Sequence, residues 1–219
     1  MNFLEMCQRV REEAGVSGVG PTSVVGQQGQ LQKIVGWVAS AWIELQLKRS
    51  DWDFMWRTLS FDTTIGQDTY SSGMEGVKRI RKVKIYDKLL GSQTESILSE
   101  VGYDEMDTHY KLGIPKSGRP VTYSVRPDGS LMFDMVPDRE YVVKISYYEK
   151  PQPITANLDE PSLPEEYRML IVYMALRKFS AHYESAIQYS DFKEEMKDLL
   201  INLERSQLPE LTTAGPLVR

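Results

Sequence analysis

The hydrophobic pattern of the chain changes its period twice, and this change constrains the fold more than any other feature. From Gly29 to about Trp52, apolar residues recur at the 3.6-residue spacing of one helix face, at Leu31, Ile34, Val35, Val38, Trp42 and Leu45. After Trp56 the spacing becomes two, which is typical of strands that bury one face. Beyond four prolines between residues 150 and 164, helical spacing returns. The pattern predicts helices, then strands, then helices.

Three further helices are predicted around the long one. Residues 2–14 form a short amphipathic pattern that Asn2 can cap. After the prolines, one helix follows Ser162 and a second runs from about Glu184 to Ser206. We therefore expect a bundle of about four helices built from residues 1–57 and 162–206, with 151–161 as a linker.

The region between the helices, residues 58–150, is predicted to be an inserted antiparallel β unit. Alternating apolar residues on both sides of Pro127-Asp128-Gly129 predict a hairpin, because proline sets φ and glycine supplies a positive φ. Residues 94–110 are predicted to hold a short helix with Ile97, Leu98 and Val101 on one side. The expected fold class is thus α+β, namely a helical bundle with an inserted antiparallel β unit and an extended C-terminal tail at 207–219.

Composition narrows the classes of function. The net charge of -5 does not favour a protein that wraps around DNA. No stretch approaches the ~20 apolar residues that a membrane span needs, so we expect no membrane partner. Acidic and basic residues in the first turns argue against a secretory signal. The single cysteine, Cys7, allows no intrachain disulfide, so we expect use in a reducing compartment.

The sequence offers no convincing set of reacting or metal-binding groups. His109 and His182 lie far apart, and neither has a partner at metal-ligand spacing. The glycines at 15, 18 and 20 follow a helix and lack the ending of a phosphate loop. The acidic clusters at 104–107 and 194–198 lack the spacing of a calcium loop and are interpreted as solvated faces. We expect no catalytic residue, no metal and no cofactor, and a protein that is not an enzyme.

Two groups of residues are candidates for contacts between subunits. Trp37, Trp52 and Trp56 are numerous for one small bundle, and aromatic side chains suit interfaces. The second group is a run of five cations in seven residues, Lys78, Arg79, Arg81, Lys82 and Lys84. On a regular strand these charges fall on both faces. Three uses remain open, in this order: an edge strand protected by lysine, a row of salt bridges between subunits, and a DNA contact.

Three segments in the same order resemble the head-to-tail adaptor, or connector, family of tailed phages. They are the helix pattern GQLQKIVGWVASAWIELQ at 29–46 with RSDWDFM at 49–55, the strand pattern LSFDTTIGQDTY at 59–70, and the helix pattern LPEEYRMLIVYMALRKFS at 163–180. Each is a soft pattern of apolar and aromatic residues without a catalytic signature. The order of the three carries more weight than any one of them.

The resemblance implies a virion structural protein, made in the cytoplasm of the bacterial host, in the neck between head and tail. Members of that family assemble with copies of themselves into a ring, typically twelvefold, under the portal protein, and the other side of the ring receives the tail, a nozzle or a head-closure protein. DNA would pass through the ring without specific binding. The C-terminal segment would grip the portal, through Leu208, Pro209, Leu211, Pro216, Leu217 and Arg219. The alternatives are another neck or tail-completion protein, a nucleic-acid-binding module and, last, a metal-dependent enzyme.

Overall fold

The structure, a computed structural model, describes residues 1–110, 116–183 and 186–208, with the side chains of 186–191 excepted. The helices are α1 (Phe3–Glu13), α2 (Gly29–Lys48), α3 (Tyr103–Glu105), α4 (Met169–Tyr183) and α5 (Ala186–Gln207). The strands are β1 (Trp56–Asp62), β2 (Thr69–Tyr70), β3 (Val77–Asp87), β4 (Ser96–Glu100), β5 (Thr122–Val125), β6 (Leu131–Phe133) and β7 (Tyr141–Glu149). Contacts divide the chain into two compact units. One joins Met1–Met55 to the described part of Pro151–Arg219, and the other is Trp56–Lys150.

The first unit is built of helices that pack around α4. This helix contacts α1, α2 and α5, and most of its apolar side chains are buried. Helix α1 begins as its sequence predicts, because the Asn2 side chain accepts a hydrogen bond from the Glu5 backbone N–H at 2.9 Å. The Glu5 carboxylate in turn accepts from the Asn2 backbone N–H at 2.9 Å.

The second unit is a curled sheet with the strand order β1-β7-β3-β4-β5-β6-β2. Neighbouring strands run antiparallel except β4 and β5, which are parallel. The strands at the two ends of this order come together, since the rings of Phe61 and Tyr70 lie 5.0 Å apart. Alternate residues of the strands point into one core, including Val83, Ile85, Phe133, Val143 and Ile145. The period-two pattern of the sequence is therefore the inner face of this curled sheet.

The predicted fold class is wrong. The chain is a mixed α/β protein with a seven-stranded curled sheet, and not a four-helix bundle with a small antiparallel insertion. The sequence pattern missed two strands: β2 has only two residues, and β4 lies inside the predicted helix. The parallel pairing of β4 with β5 also contradicts a purely antiparallel unit. The pairing of strands far apart in sequence depends on the shared core, which local periodicity does not report.

The short helix predicted within 94–110 occupies only the second half of that range, and its expected face at Ile97, Leu98 and Val101 is not helical. Ser96–Glu100 forms strand β4, and only the single turn of α3 and a π-helical turn at Met106–Tyr110 are helical beyond it. Two adjacent apolar residues are compatible with either a helix or a strand, so the sequence pattern alone does not distinguish the two. Ile97 is 60% exposed whereas Leu98 is 4% exposed, so they lie on opposite faces of the sheet.

Candidate interaction surfaces

Trp52 belongs to the core of its own unit. Its side chain has no exposed surface, its indole N–H donates to the Leu45 carbonyl oxygen at 3.0 Å, and its ring stacks on Phe54 at 5.5 Å. The hydrogen bond satisfies a carbonyl near the end of α2 that has no partner within the helix. Trp52 is thereby removed from the candidates for contact with another subunit.

Trp37 and Trp56 keep accessible surface. Trp37 is half-buried on α2, where its ring contacts Phe179, His182 and Tyr183 of α4 at 5.5 to 6.3 Å. Trp56 is 44% exposed at the start of β1. An exposed indole is a large apolar surface with one polar group, and Trp56 therefore remains a candidate for an interface.

Strand β3 carries the run of five cations, and its pairing with β7 contains two irregularities. The register shifts between Val77 and Arg79 and again between Ile80 and Lys82. Each shift leaves one extra residue on β3, first Lys78 and then Arg81, as in a β-bulge. The core-facing residues of β3 consequently recur at unequal intervals, at Val77, Ile80, Val83 and Ile85.

The bulges place Arg79, Arg81, Lys82 and Lys84 on the side of β3 that faces away from the core, and Lys78 lies at the edge of this side, where it lines a cavity beside Ile80. In a regular strand every second residue would face the core, which would place Arg79 and Arg81 inward. The extra residue in each bulge instead returns Ile80 and Val77 to the core face. Arg79, Arg81 and Lys82 are exposed, and Lys78 and Lys84 are partly exposed. The expectation that these charges fall on both faces of the strand is wrong for Arg79, Arg81, Lys82 and Lys84, which share the outer face.

Strand β7 adds a sixth cation beside this run. Lys144 is exposed, pairs in register with Lys84, and places its ammonium 5.3 Å from the centre of the Tyr86 ring. We call the surface formed by Lys78, Arg79, Arg81, Lys82, Lys84 and Lys144 the basic face.

Glu95 is the carboxylate that meets the basic face. Lys84 donates to it at 2.6 Å. This hydrogen bond holds the pKa of Glu95 below its ordinary value, and the charges of Lys144 and Lys82 lower it further. Within the described ranges, the other five cations of the basic face form no ion pair with a carboxylate. The face therefore keeps a concentrated positive charge.

Hydroxyl groups border the basic face on the same side of the sheet. Ser146 of β7 pairs in register with Lys82, and with Thr58 on its other side. Ser60 of β1 pairs in register with Lys144. Because residues in register on neighbouring strands share a face, cations and hydroxyls form one continuous surface of hydrogen-bond donors.

Half of β3 is also a sheet edge. Strand β4 pairs with β3 only over Val83–Ile85, so among the described residues Val77–Lys82 has a partner strand on one side alone, namely β7. Cations and bulges are common protections of such edges against pairing with another chain. This agrees with the first of the three uses expected for the basic run.

A loop between β3 and β4 displays two leucines. Leu89 and Leu90 are 93% and 63% exposed. The loop is held in shape by the buried Asp87, whose carboxylate accepts from the backbone N–H groups of Leu89 at 2.9 Å and Leu90 at 3.2 Å, and from Arg139 at 3.2 Å. A braced apolar loop is a second candidate for an interface, because little conformational freedom is lost when it docks.

The remaining candidates for chemistry are dispersed. Cys7 is fully buried on α1, and burial raises the pKa of its thiol to about 12. His182 lies 2.9 Å from the Lys33 ammonium, in the aromatic cluster around Trp37. In the part of the chain that the structure describes, no three His, Cys, Asp or Glu side chains are grouped as metal ligands, and no helix is long and apolar enough to span a membrane.

Most of the segment expected to bind the portal lies outside the described residues. Leu208 is described, half-buried just after α5, with its N–H donating to the Glu204 carbonyl at 3.1 Å. Pro209, Leu211, Pro216, Leu217 and Arg219 lie beyond the last described residue.

Comparison with known protein families shows what the chain is similar to. The family described as SU10 adaptor protein matches residues 1–218, which is almost the whole sequence. No curated protein matches the chain.

Proposed function

The chain belongs to the SU10 adaptor protein family, and from this premise we propose that it forms a ring that joins the portal to the tail and continues the DNA channel. At the coarser level, it is a phage adaptor structural protein. The family match over residues 1–218 is the observation that carries the proposal. The partners proposed for the ring are the portal protein on one side and a tail, nozzle or head-closure protein on the other. The proposed location is the neck of the virion, with synthesis in the cytoplasm of the bacterial host.

A closed ring requires two different contact surfaces on each subunit, because each copy touches one neighbour with one surface and the next neighbour with another. The described residues offer exposed apolar groups that suit such contacts. Trp56 lies at the start of β1, and Leu89 and Leu90 are displayed by the braced loop after β3. These separate apolar surfaces support the proposal of a ring. The proposed number of copies in the ring is twelve.

The same proposal includes the absence of enzymatic activity. A ring that connects two protein assemblies works through its contacts, and it needs neither reacting groups nor a cofactor. The proposal would be revised by an activity of the purified protein that a chelator abolishes, since this would indicate a metal-dependent enzyme.

Binding to portal rings tests the proposal directly. Purified protein would be mixed with the portal protein of the same phage and imaged by electron microscopy. We expect a ring of density added to one side of the portal, with the portal's rotational symmetry or a simple fraction of it. Absence of binding, together with binding to an isolated tail, would instead identify another neck or tail-completion protein.

A truncation tests the role proposed for the C-terminal segment. We propose that removal of the residues after Gln207 leaves the protein folded but abolishes stable attachment to the portal. The physical reason is that an extended terminal segment can cover a large partner surface with few residues. Co-sedimentation with portal rings measures attachment, and circular dichroism checks the fold. Undiminished attachment of the truncated protein would refute this role.

A further inference from the structure

We propose that the basic face binds the phosphate backbone of double-stranded DNA, without reading its sequence. The inference rests on the position and chemistry of six cations, and it does not require attachment to a portal. It goes beyond the ring proposed above, in which DNA only passes through.

The distribution of charge is the first argument. The whole chain carries 26 Lys and Arg against 31 Asp and Glu, so a positive surface is not a consequence of a basic composition. The bulge at Arg81 turns Arg79 and Arg81 to the same outer side as Lys82 and Lys84, and the bulge at Lys78 returns Val77 to the core face. Only Lys84 has a carboxylate partner among the described residues of this face. Uncompensated cations on one surface bind polyanions by releasing the counterions that the polyanion has condensed.

The neighbouring side chains supply further hydrogen-bond donors for phosphate oxygens. Lys82 and Lys144 lie in register with Ser146 and Ser60, so each of these ammonium groups has a hydroxyl neighbour on the adjacent strand. Lys, Arg, Ser and Thr are the side chains that commonly donate to phosphate oxygens and the sugar in protein–DNA complexes. Hydroxyls also donate to carboxylates, so competition with polyglutamate, described below, separates the two kinds of partner.

The aromatic residues argue against recognition of unpaired bases. A single-strand binding surface stacks successive bases on successive rings. On this side of the sheet Tyr86 lies beneath the Lys144 ammonium, and Trp56 is separated from it by the length of several strand residues. The geometry favours contact with the backbone of a duplex.

Few contacts imply weak binding with a predictable salt dependence. The logarithm of the binding constant falls with the logarithm of salt concentration by about 0.9 for each phosphate neutralised. Six cations set an upper limit of roughly five in this slope. Such binding is weak enough at physiological salt for DNA to slide past, as passage through an adaptor requires.

Three substitutions on the basic face test the proposal. Arg79→Gln, Lys82→Gln and Lys144→Gln, combined in one protein, remove exposed cations that have no carboxylate partner among the described residues. The control combines Lys193→Gln, Lys197→Gln and Arg205→Gln on exposed positions of α5, which changes the net charge by the same amount. Binding of each protein to a short fluorescent duplex is measured by anisotropy from about 50 to 200 mM salt. Circular dichroism verifies that all three proteins are folded.

The basic-face variant is expected to bind at least about tenfold more weakly at low salt, with a salt slope reduced by about 2.7. The control should bind within about twofold of the unaltered protein. Equal losses in both variants, or no binding by the unaltered protein at the lowest salt, would overturn the proposal. It would also be overturned if polyglutamate, at equal charge concentration, competed as well as unlabelled duplex. That outcome would identify an acidic protein surface as the partner.

Discussion

At the scale of single residues, Trp52 and Trp56 show how the same side chain takes opposite roles four positions apart. Trp52 has no exposed surface and donates to the Leu45 carbonyl, whereas Trp56 is 44% exposed. Each is followed directly by a charged residue, Asp53 or Arg57, so the immediate neighbour does not separate them. Trp52 is buried because the fold packs it against the end of α2, next to the Leu45 carbonyl.

The two tryptophans allow a matched test of stability. We expect Trp52→Ala to reduce the free energy of unfolding by about 3–5 kcal/mol, because a large buried ring is lost and a cavity remains. Trp56→Ala should cost about 1 kcal/mol or less. If Trp52→Ala does not fold, Trp52→Phe should still cost about 1–3 kcal/mol, because the Leu45 carbonyl loses its donor. Urea denaturation followed by circular dichroism measures all three. Equal losses for Trp52→Ala and Trp56→Ala would contradict the packing described.

Asp87 provides a pH-dependent contribution to stability. Burial acts to raise its pKa, but hydrogen bonds from the backbone N–H groups of Leu90 and Leu89, and from Arg139, together lower the pKa below the ordinary value. A group with a lowered folded-state pKa stabilises the fold fully above its unfolded pKa, and this stabilisation is lost as the pH falls through the folded pKa.

The Asp87 contribution can be isolated with one substitution. We expect Asp87→Asn to be less stable than the unaltered protein at pH 6–7. The difference should shrink progressively below about pH 4, where the Asp87 carboxylate becomes protonated in the unfolded chain while it stays charged in the folded protein. The change in urea midpoint with pH, measured for both proteins, gives the difference. A difference that stays constant down to pH 3 would show that the charge of Asp87 does not stabilise the loop.

At the scale of secondary-structure elements, β3 and β4 show how a strand is recognised only through its partners. The bulges of β3 depend on pairing with β7, whose residues lie about sixty positions further along the chain. Strand β4 contains the adjacent apolar residues Ile97 and Leu98, which a helix would place near each other and a strand places on opposite faces.

Substitutions in β4 distinguish the strand from the helix predicted from its sequence. Leu98→Ala is expected to destabilise the protein by about 2–5 kcal/mol, because Leu98 packs in the core of the sheet. Ile97→Ala should change stability by no more than about 0.5 kcal/mol, since Ile97 is 60% exposed. Each variant is compared with the unaltered protein by thermal or urea denaturation. Comparable losses at both positions would favour a shared apolar face and oppose the strand.

At the scale of the whole molecule, the chain enters and leaves the sheet unit at neighbouring positions. Trp56 at the start of β1 pairs in register with Tyr148 near the end of β7. Such cross-strand neighbours have Cα atoms about 5 Å apart. The helical unit has its own buried core around α4. The chain is therefore arranged as one unit whose sequence is interrupted by another.

This arrangement predicts that the sheet unit can be replaced. A protein in which residues 57–147 are exchanged for a short Gly-Ser linker should retain helical circular dichroism and unfold cooperatively, because the linker has only to span about 5 Å. A shuffled-sequence linker of the same length serves as a control for linker chemistry. If both linker variants lose cooperative unfolding, the helical unit does not fold independently of the sheet unit.

The sequence by itself determined the local elements. The spacing of Leu31 to Leu45 predicted α2, Asn2 predicted the start of α1, and Pro127-Asp128-Gly129 predicted the turn between β5 and β6, all of which the structure confirms. These features depend on residues within one or two turns of each other, so their causes are visible in a short stretch of chain. The three segments that resemble phage adaptors are of this kind as well.

Only the tertiary structure decided which strands are neighbours, that β4 and β5 run parallel, and that the bulges of β3 turn most of the basic run to one face. Each of these depends on which distant segment completes a strand's hydrogen bonds and covers its apolar side. The sequence around Lys78 and Arg81 does not by itself specify a bulge. The bulges form because β3 pairs with β7. The candidate DNA-binding surface is therefore a product of long-range pairing, which no local pattern specifies.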